Sequence, residues 1–324
     1  MESIYNLQIC YNFKTVDDYL AVDVGGTQIR VALFPEKGIV PISQKKIKTH
    51  KPGEKAEQRI IDLIAQLWPA NDHVVSIGIA APGPLDPKTG VVIAAPNIPE
   101  WNNLPLRKLI NDRFNVPVTL GNDANFAAYG EWKYGAGQGH HNLIYLTIST
   151  GIGGGVIMDD HLVLGEHGMA TELGHMMILP DGPLCGCGQP GHLEAISSGT
   201  AIAAFVTAEL KKGTPSILTL TPPLTSKEIS NAALAGDALA KIAYQRAGTY
   251  LGMALANYLH IFNPSIIICG GGVSYSGDLI FKPARETMAK YVMDPEYLQG
   301  LTLTTARLGD DAGLMGALAM ARSL

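Results

Sequence analysis

Residues 19–34 have the sequence YLAVDVGGTQIRVALF, and this stretch gives the first indication of the fold. Two short apolar runs, residues 19–24 and 29–34, flank Gly25 and Gly26, which is the pattern of two β-strands joined by a tight turn. A comparable stretch, NLIYLTISTGIGGGVIM, occupies residues 142–158. We therefore predict the same device in each half of the chain, which indicates a duplicated architecture with a cleft between the halves.

The rest of the chain alternates strand-like and helix-like segments, which is typical of an α/β protein with a buried sheet. We predict further strands at residues 74–80, 116–120 and 266–269, and helices at residues 54–67, 106–113, 125–134, much of 195–259, and from about 313 onward.

Composition excludes several classes of protein. The 324 residues are 47% hydrophobic and 16% charged, with a net charge of −5, so the chain can bury a large core. Lys and Arg form no cluster of the kind that binds a phosphate backbone, and we expect no nucleic-acid partner. The N-terminus lacks the apolar run of a secretory signal, and no window is long and apolar enough to span a membrane. We expect a cytoplasmic protein.

Three glycine-rich segments follow predicted strands and are candidates for binding a nucleotide phosphate chain. Glycine lets backbone N–H groups converge on an anion without a Cβ in the way. The candidate nucleotide-binding residues are Asp23, Gly25, Gly26, Thr27, Gln28, Thr150, Gly151, Gly153, Gly271 and Gly272. Asp23 could also hold Mg²⁺ through water. The alternative for the first segment is an ordinary hairpin turn. No segment matches the dinucleotide fingerprint, which argues against a nicotinamide oxidoreductase, and a Walker A lysine is absent.

Asp123 lies in the sequence GNDAN, at the junction of a predicted strand and a helix. Its plain interpretation is a helix N-cap. Its functional interpretation is a general base that accepts a proton from a substrate hydroxyl during phosphoryl transfer, a reaction that needs alignment and one base near the nucleophile. Other polar residues beside turns suit sugar hydroxyls, although surface charge is the alternative for the two glutamates. The substrate-binding candidates are Gly83, Asn97, Asn122, Asp123, Glu172, His175 and Glu194.

A short turn-rich segment, CGCGQPGH at residues 185–192, contains three potential metal ligands. Cys185, Cys187 and His192, together with His175 upstream, form the four-ligand set of a closed, structural zinc site. The alternative is two free thiols beside incidental histidines. If one nitrogen of His175 binds zinc, the other is free to bond a sugar hydroxyl.

At these motifs the sequence resembles the ROK family of sugar kinases and repressors, most closely its glucokinase branch, over about residues 19–324. The matching segments are residues 23–27 with Arg30, 121–125 followed by Gly130 and Glu131, 150–155, 172–175 and 185–194. The resemblance implies an actin-like (RNase H-like) ATPase fold with two α/β domains and a cleft between them. One departure is His192, where the family usually has a third zinc-binding Cys.

The same resemblance implies a small domain over residues 1–122 and a large domain over residues 123–304, with a C-terminal helix at about 305–324 packing back on the small domain. It implies that Asp123 is the base, that ATP with Mg²⁺ is the phosphoryl donor, that the zinc is structural, and that the protein is a homodimer or homotetramer. The expected reaction is phosphorylation of a hexose at its 6-hydroxyl, with glucose first.

Several alternatives remain open at this stage. Fructose, mannose, allose or N-acetylmannosamine would need only small changes in the pocket, and polyphosphate-using relatives exist. A sugar-sensing transcriptional regulator is the rival from another class. Only twenty-two residues precede Asp23, which we take as too few for a helix-turn-helix module. A catalytically dead sensor is disfavoured by the presence of Asp123 and both phosphate loops.

Overall fold

The computed structural model describes residues 17–70 and 73–324. Its strands are β1 (Asp18–Val24), β2 (Gln28–Phe34), β3 (Ser43–Lys48), β4 (Val74–Ala81), β5 (Leu85–Asp86), β6 (Val91–Ala94), β7 (Asn102–Leu104), β8 (Val118–Asn122), β9 (Leu143–Ile148), β10 (Ile152–Met158), β11 (His161–Leu162), β12 (Ile266–Gly270) and β13 (Thr302–Thr305). Its helices are α1 (Ala56–Leu67), α2 (Leu106–Phe114), α3 (Asp123–Tyr134), α4 (Glu194–Ser197), α5 (Gly199–Lys211), α6 (Ser226–Leu234), α7 (Ala238–Phe262), α8 (Asp278–Tyr291) and α9 (Ala312–Ala321). The expectation about a secretory signal falls on residues 1–16, outside this described part.

Two five-stranded sheets share one topology. The first has the order β3-β2-β1-β4-β8 and the second the order β11-β10-β9-β12-β13. In each sheet the first three strands are antiparallel and the remaining pairs are parallel. A smaller sheet, β5-β6-β7, is inserted in the first half. The prediction of a duplicated architecture is therefore confirmed by strand order, although the two copies differ in sequence.

Apolar side chains on the central strands explain why these sheets form. All five residues of β12 are buried, and three of them are isoleucines. Burial of an Ile side chain contributes about 1.5–3 kcal/mol, so a run of this kind favours the middle of a sheet covered on both faces. The helices α5, α6, α7 and α8 supply much of the cover for the second sheet, and α1 and α2 pack in the core of the first.

Two helices connect the halves. Helix α3 leaves the first sheet after β8 and packs on β9 and β10 of the second. Helix α9 leaves the second sheet after β13 and packs on β1 and β4 of the first, and the two helices also contact each other. Each half is thus covered partly by a helix that follows the last strand of the other. The exact domain boundary, placed by sequence after residue 122, stays a prediction.

Two segments differ from the sequence-based prediction. Residues 151–155 were expected to form a turn, but β10 begins at Ile152. Gly153, Gly154 and Gly155 therefore pair with β9 as strand residues. The glycines serve close packing there, because a Cβ on Gly155 would lie 2.6 Å from Ala128 Cβ of α3. The C-terminal helix begins at Ala312, in agreement with the helix predicted from about residue 313 but later than the start at about 305 that the resemblance implies, because Thr302–Thr305 form the edge strand β13.

The longest helix, Ala238–Phe262, has 25 residues and packs against α6 and α8. Within residues 17–70 and 73–324, no helix has the combined length and apolar character needed to cross a bilayer.

Candidate active site

Asn122 and Asp123 occupy the junction where β8 ends and α3 begins. Asn122 Oδ1 accepts hydrogen bonds from the N–H groups of Ala124 at 2.9 Å and Asn125 at 3.2 Å. Asn122 is therefore the N-cap of α3, and the N-cap interpretation of Asp123 is wrong. Asp123 is the first helical residue, and its carboxylate faces the cleft with one hydrogen bond, to the N–H of Ala124 at 2.8 Å.

The cleft contains a cavity of about 590 Å³ whose wall gathers residues from both halves of the chain. All seven predicted substrate-binding residues lie on it, together with three of the predicted nucleotide-binding residues. These predicted residues on the cavity wall are Gly83, Asn97, Asn122, Asp123, Glu172, His175, Glu194, Thr150, Gly151 and Gly153. Because hydroxyl-rich ligands need several oriented amides and carboxylates, this cavity is suited to a small polyol.

A second cavity, of about 230 Å³, adjoins the first and shares Asp123, Ala124, Thr147 and Ser149 with it. Its wall includes the predicted nucleotide-binding residues Asp23, Gly271 and Gly272. Three acidic residues, Asp23, Asp123 and Asp310, line this space. Asp123 is thus common to the large cavity and to the neighbouring cavity lined by acidic residues and glycines.

A third cavity, of about 220 Å³, continues from the other two through Ser149, Thr150 and Gly272. Its remaining wall comes from the N-terminal ends of α5 and α6, including Gly199, Thr200 and Ser226. The three cavities follow one another along the cleft. Together they offer room for a ligand longer than a sugar.

Burial raises the pKa of Asp123 to about 6, the negative charges of Asp23 and Glu172 add to the rise, and the hydrogen bond from the N–H of Ala124 opposes it. Solvent reaches this carboxylate through the cleft, but protein atoms enclose it closely enough for desolvation to dominate. A carboxylate with a pKa near 6 is ionised at neutral pH and is a stronger base than an ordinary Asp. The environment therefore suits proton abstraction.

Asp23, at the end of β1, forms an ion pair with Arg30 on β2. Its Oδ2 accepts from Arg30 Nη2 at 2.6 Å and Nε at 3.1 Å. Burial raises the pKa of Asp23, although Arg30 opposes the rise. Arg30 also donates to Asp311 Oδ1 at 2.7 Å and to the carbonyl oxygen of Asp310. Arg30 thereby links the first hairpin to the segment that precedes α9.

The loop between β1 and β2, predicted to bind phosphate through Gly25, Gly26, Thr27 and Gln28, does not line any of these three cavities. It closes as a hairpin turn, with the N–H of Gly25 donating to the Gln28 carbonyl at 2.8 Å. Gly26 packs so closely on Asn97 that a Cβ would lie 2.6 Å from Asn97 Cβ. Glycine is therefore required at position 26 by the packing against Asn97, which lines the large cavity. The phosphate-binding role of Gly26 stays a prediction.

The four predicted zinc ligands meet in one place. Their donor atoms all lie within 4.8 Å of one another. The Nδ1 atoms of His175 and His192 are 3.4 Å apart, Cys185 Sγ is 3.6 Å from His175 Nδ1, and Cys187 Sγ is 3.3 Å from His192 Nδ1. A tetrahedral zinc with ordinary Zn–N and Zn–S bonds requires edges of about 3.3–3.8 Å, so the residues fit this ion.

The predicted zinc ligands and several residues of the large cavity share one compact segment, residues 172–194. His175 directs Nδ1 toward the other ligands, and its ring also lines the large cavity. Glu194 begins α4, and its Oε2 accepts from the N–H of Ile152 at 2.9 Å while Cys185 Sγ donates to Oε1 at 3.4 Å. The placement of Glu194 therefore depends on both β10 and the cysteine-rich turn.

The segment before α9 contributes to the site although no sequence motif predicted it. Gly309, Asp310 and Gly313, beside the N-terminal end of α9, line the cavity that contains Asp23 and Asp123. The signal was present as the sequence GDDAG at residues 309–313. It was hidden because these residues are about 190 positions from Asp123 and join it only through the crossed packing of α3 and α9.

The profile of the ROK family matches residues 19–323. The chain belongs to the ROK family. This ROK protein is 38% identical over 305 residues to the glucokinase of Thermotoga maritima, with 92% of this chain and 95% of that one covered. A ROK glucokinase from Streptomyces griseus, solved with glucose and AMPPNP, superposes with a TM-score of 0.78 at 34% identity, covering 95% of this chain and 100% of that one.

The family also contains regulators with the same fold. A ROK transcriptional regulator, a homologue of the E. coli MLC protein, superposes with a TM-score of 0.85 at 31% identity, covering 95% of this chain and 78% of that one. The predicted actin-like ATPase fold is confirmed by these neighbours together with the duplicated strand order. Because kinases and regulators share it, the fold alone does not separate their functions.

Proposed function

We propose that this ROK protein is an ATP-dependent glucokinase, which transfers the γ-phosphoryl group of ATP to the 6-hydroxyl of glucose. The observation that carries the proposal is the position of Asp123, whose carboxylate lies on the wall shared by the polyol-like cavity and the carboxylate-lined cavity beside it. The similarity to the glucokinases of T. maritima and S. griseus supports glucose as acceptor and ATP as donor.

In the proposed mechanism, the oxygen of the 6-hydroxyl attacks the γ-phosphorus while Asp123 accepts the proton of that hydroxyl. The pKa of about 6 leaves Asp123 ionised at neutral pH. Phosphoryl transfer needs little further covalent chemistry, because alignment and charge stabilisation provide most of the rate enhancement. Because Oδ1 of Asn122 accepts the hydrogen bonds of the helix cap, its NH₂ group is the group that would donate to a neighbouring sugar hydroxyl.

The other sugar contacts are proposed for Asn97, Glu172, His175 and Glu194. If zinc were bound by Nδ1 of His175, the ring proton would lie on Nε2, and this N–H would donate a hydrogen bond to a sugar hydroxyl. Zinc also affects Glu194. Cys185 would bind zinc as a thiolate with no proton to donate, so Glu194 Oε1 would become available to accept a hydrogen bond from the sugar. The structural zinc, when bound, fixes the turn that presents these residues.

For the nucleotide, we propose Thr150, Gly151, Gly153, Gly271 and Gly272 from the second half. Their partners from the first half would be Asp23 and the 25–28 hairpin. Mg²⁺, when bound beside Asp23, would neutralise charge on the phosphates. Arg30 keeps the Asp23 carboxylate oriented through two hydrogen bonds. Glycine at 271 and 272 lets phosphate or ribose approach the backbone at the end of β12.

The test is a coupled assay of ADP release, run with glucose, fructose, mannose, allose and N-acetylmannosamine, and with ATP or polyphosphate as donor. We expect the highest kcat/KM for glucose with ATP. A higher kcat/KM for another hexose would change the proposed substrate. Absence of activity with every hexose would contradict the kinase function. A mobility-shift experiment with sequence-specific DNA binding would favour the regulator instead. A homodimer or homotetramer, and a cytoplasmic location, stay predictions.

A further inference from the structure

Thr171, the residue directly before Glu172, has a backbone conformation that is unusual for its type. Its φ is +67°, in the left-handed region. The other non-glycine residues with positive φ in the described part of the chain are all Asn or Asp, whose short polar side chains tolerate this region. A β-branched residue pays more for the same conformation. The surrounding structure must therefore impose it.

The hydroxyl group of Thr171 contacts helix α3. The single hydrogen of the Thr171 hydroxyl is shared between two acceptors, Asn125 Oδ1 at 3.0 Å and the Ala170 carbonyl oxygen at 2.6 Å. Asn125 is 3% exposed and lies in the first turn of α3, where its N–H is bonded to Asn122 Oδ1. The hydroxyl therefore ties the Glu172 segment to the same helical turn that presents Asp123.

The residues after Glu172 are fixed from the other side. The carbonyl oxygen of Leu173 accepts from Tyr258 Oη on α7 at 2.6 Å, and both residues are buried. The N–H of His175 donates to the Glu172 carbonyl at 3.0 Å. Glu172 thus lies between a buried anchor at Leu173 and the side-chain tether at Thr171. Loss of the tether would free one end only.

We infer that Thr171 is a positioning residue for hexose binding. Its hydrogen bond to Asn125 sets the distance between Glu172 and the Asn122–Asp123 pair, so that carboxylates on opposite sides of one sugar are presented in fixed register. The inference rests on the proposed function, because it assigns Glu172 to the sugar. It adds a residue that contacts no ligand and acts through Asn125 on α3.

The test compares Thr171→Gly with Thr171→Ser. Glycine removes the tether and also relieves the positive φ, so the melting temperature should be no lower than that of wild type, while KM for the hexose rises about 3- to 10-fold, the loss expected for one hydrogen bond. KM for ATP should stay unchanged. Serine keeps the hydroxyl and should stay within about twofold of wild type for the hexose. A purely structural role would instead lower stability and affect both substrates together.

Asp159→Gly is the matched control, since Asp159 has a φ of +48° on an exposed turn outside the cavities. It should leave KM for the hexose unchanged. The hexose used is whichever of the panel the wild-type enzyme phosphorylates best, so a different sugar preference does not affect the result. An unchanged hexose KM in Thr171→Gly, or an equal loss in Thr171→Ser, overturns the inference. A wild-type protein inactive with every hexose overturns the proposed function and this inference with it.

Discussion

Asp123 is the residue at which fold and chemistry meet, because the cap of α3 is provided by its neighbour Asn122. Its carboxylate is left to face the cleft among other carboxylates. Folding thus places this charge in a cleft beside Asp23 and Glu172, and the same environment that costs stability makes the carboxylate a better base. Two predictions follow at this scale.

The first concerns pH and activity. Because the pKa of Asp123 is about 6, its base form is lost as the pH falls through this value. We expect kcat/KM for the hexose to fall about tenfold per pH unit below pH 6, and Asp123→Ala to lower kcat by orders of magnitude while hexose binding stays detectable. Initial rates between pH 4.5 and 8 provide the measurement. Wild-type turnover in Asp123→Ala would eliminate this residue as the base.

The second concerns pH and stability. The pKa of Asp123 is higher in the fold than its ordinary value of 3.8, so ionisation destabilises the folded state above about pH 6 and this cost disappears as the pH falls toward 3.8. Asp123→Asn should therefore have a higher melting temperature than wild type at pH 7.5, and the gain should shrink at pH 4.5. Asp62→Asn, on the exposed face of α1, is the control and should show no such gain. A less stable Asp123→Asn at pH 7.5 would refute this electrostatic account.

At the scale of elements, the cysteine-rich turn matters through what it fixes. Residues 172–194 contain the four predicted zinc ligands together with Glu172 and Glu194, which line the large cavity. Such a short, glycine-rich segment buries little apolar surface of its own. A metal ion is an economical way to give it one conformation.

Purified protein should contain about one zinc per chain by elemental analysis. His192→Ala should lose the metal, melt at a lower temperature and show a raised KM for the hexose. His192→Cys should keep the metal, because thiolate and imidazole are both competent zinc ligands. Cys269→Ala, which removes a buried thiol on β12 far from this turn in sequence, should leave the zinc content unchanged. Full activity in a zinc-free protein would remove the structural role of the metal.

At the scale of the whole molecule, the two sheets are linked by the crossed helices α3 and α9, and the cavities lie between contributions from both halves. One of the contacts between the halves is an ion pair, with Lys88 Nζ 3.4 Å from Glu166 Oε1. Both side chains are exposed, so this ion pair contributes little energy, and the relative position of the halves is set mainly by the packing of α3 and α9.

We expect hexose binding to bring the halves closer and to exclude water from the nucleotide, which limits wasteful hydrolysis of ATP. Small-angle scattering should show a smaller radius of gyration with saturating glucose than without it, and ATP hydrolysis in the absence of sugar should be far slower than phosphoryl transfer. Fructose or another hexose that is not phosphorylated serves as the control. An unchanged radius together with rapid ATP hydrolysis would contradict closure.

Short sequence patterns were enough to predict much of the fold and most of the candidate site residues. The paired strands around Gly25 and Gly26, the apolar run of β12, the GNDAN motif and the cysteine-rich turn are each short, and each reflects interactions between residues near in sequence. From these the α/β class, the duplication and the candidate residues could be predicted. Edge strands such as β3, with the polar sequence SQKKIK, could not, because they are held by pairing with a distant partner rather than by their own apolar pattern.

The sequence by itself determined which side chains were available: a base candidate at Asp123, four zinc ligands, and polar residues suited to a sugar. Only the tertiary structure decided which of them face one another. It made Asn122 the helix cap, brought Asp310 beside Asp23, and gave Gly26 a packing role against Asn97. The physical reason is that a hydrogen bond, a pKa or a cavity depends on distances of a few ångströms, and those distances are set by how α3 and α9 pack across two sheets far apart in the chain.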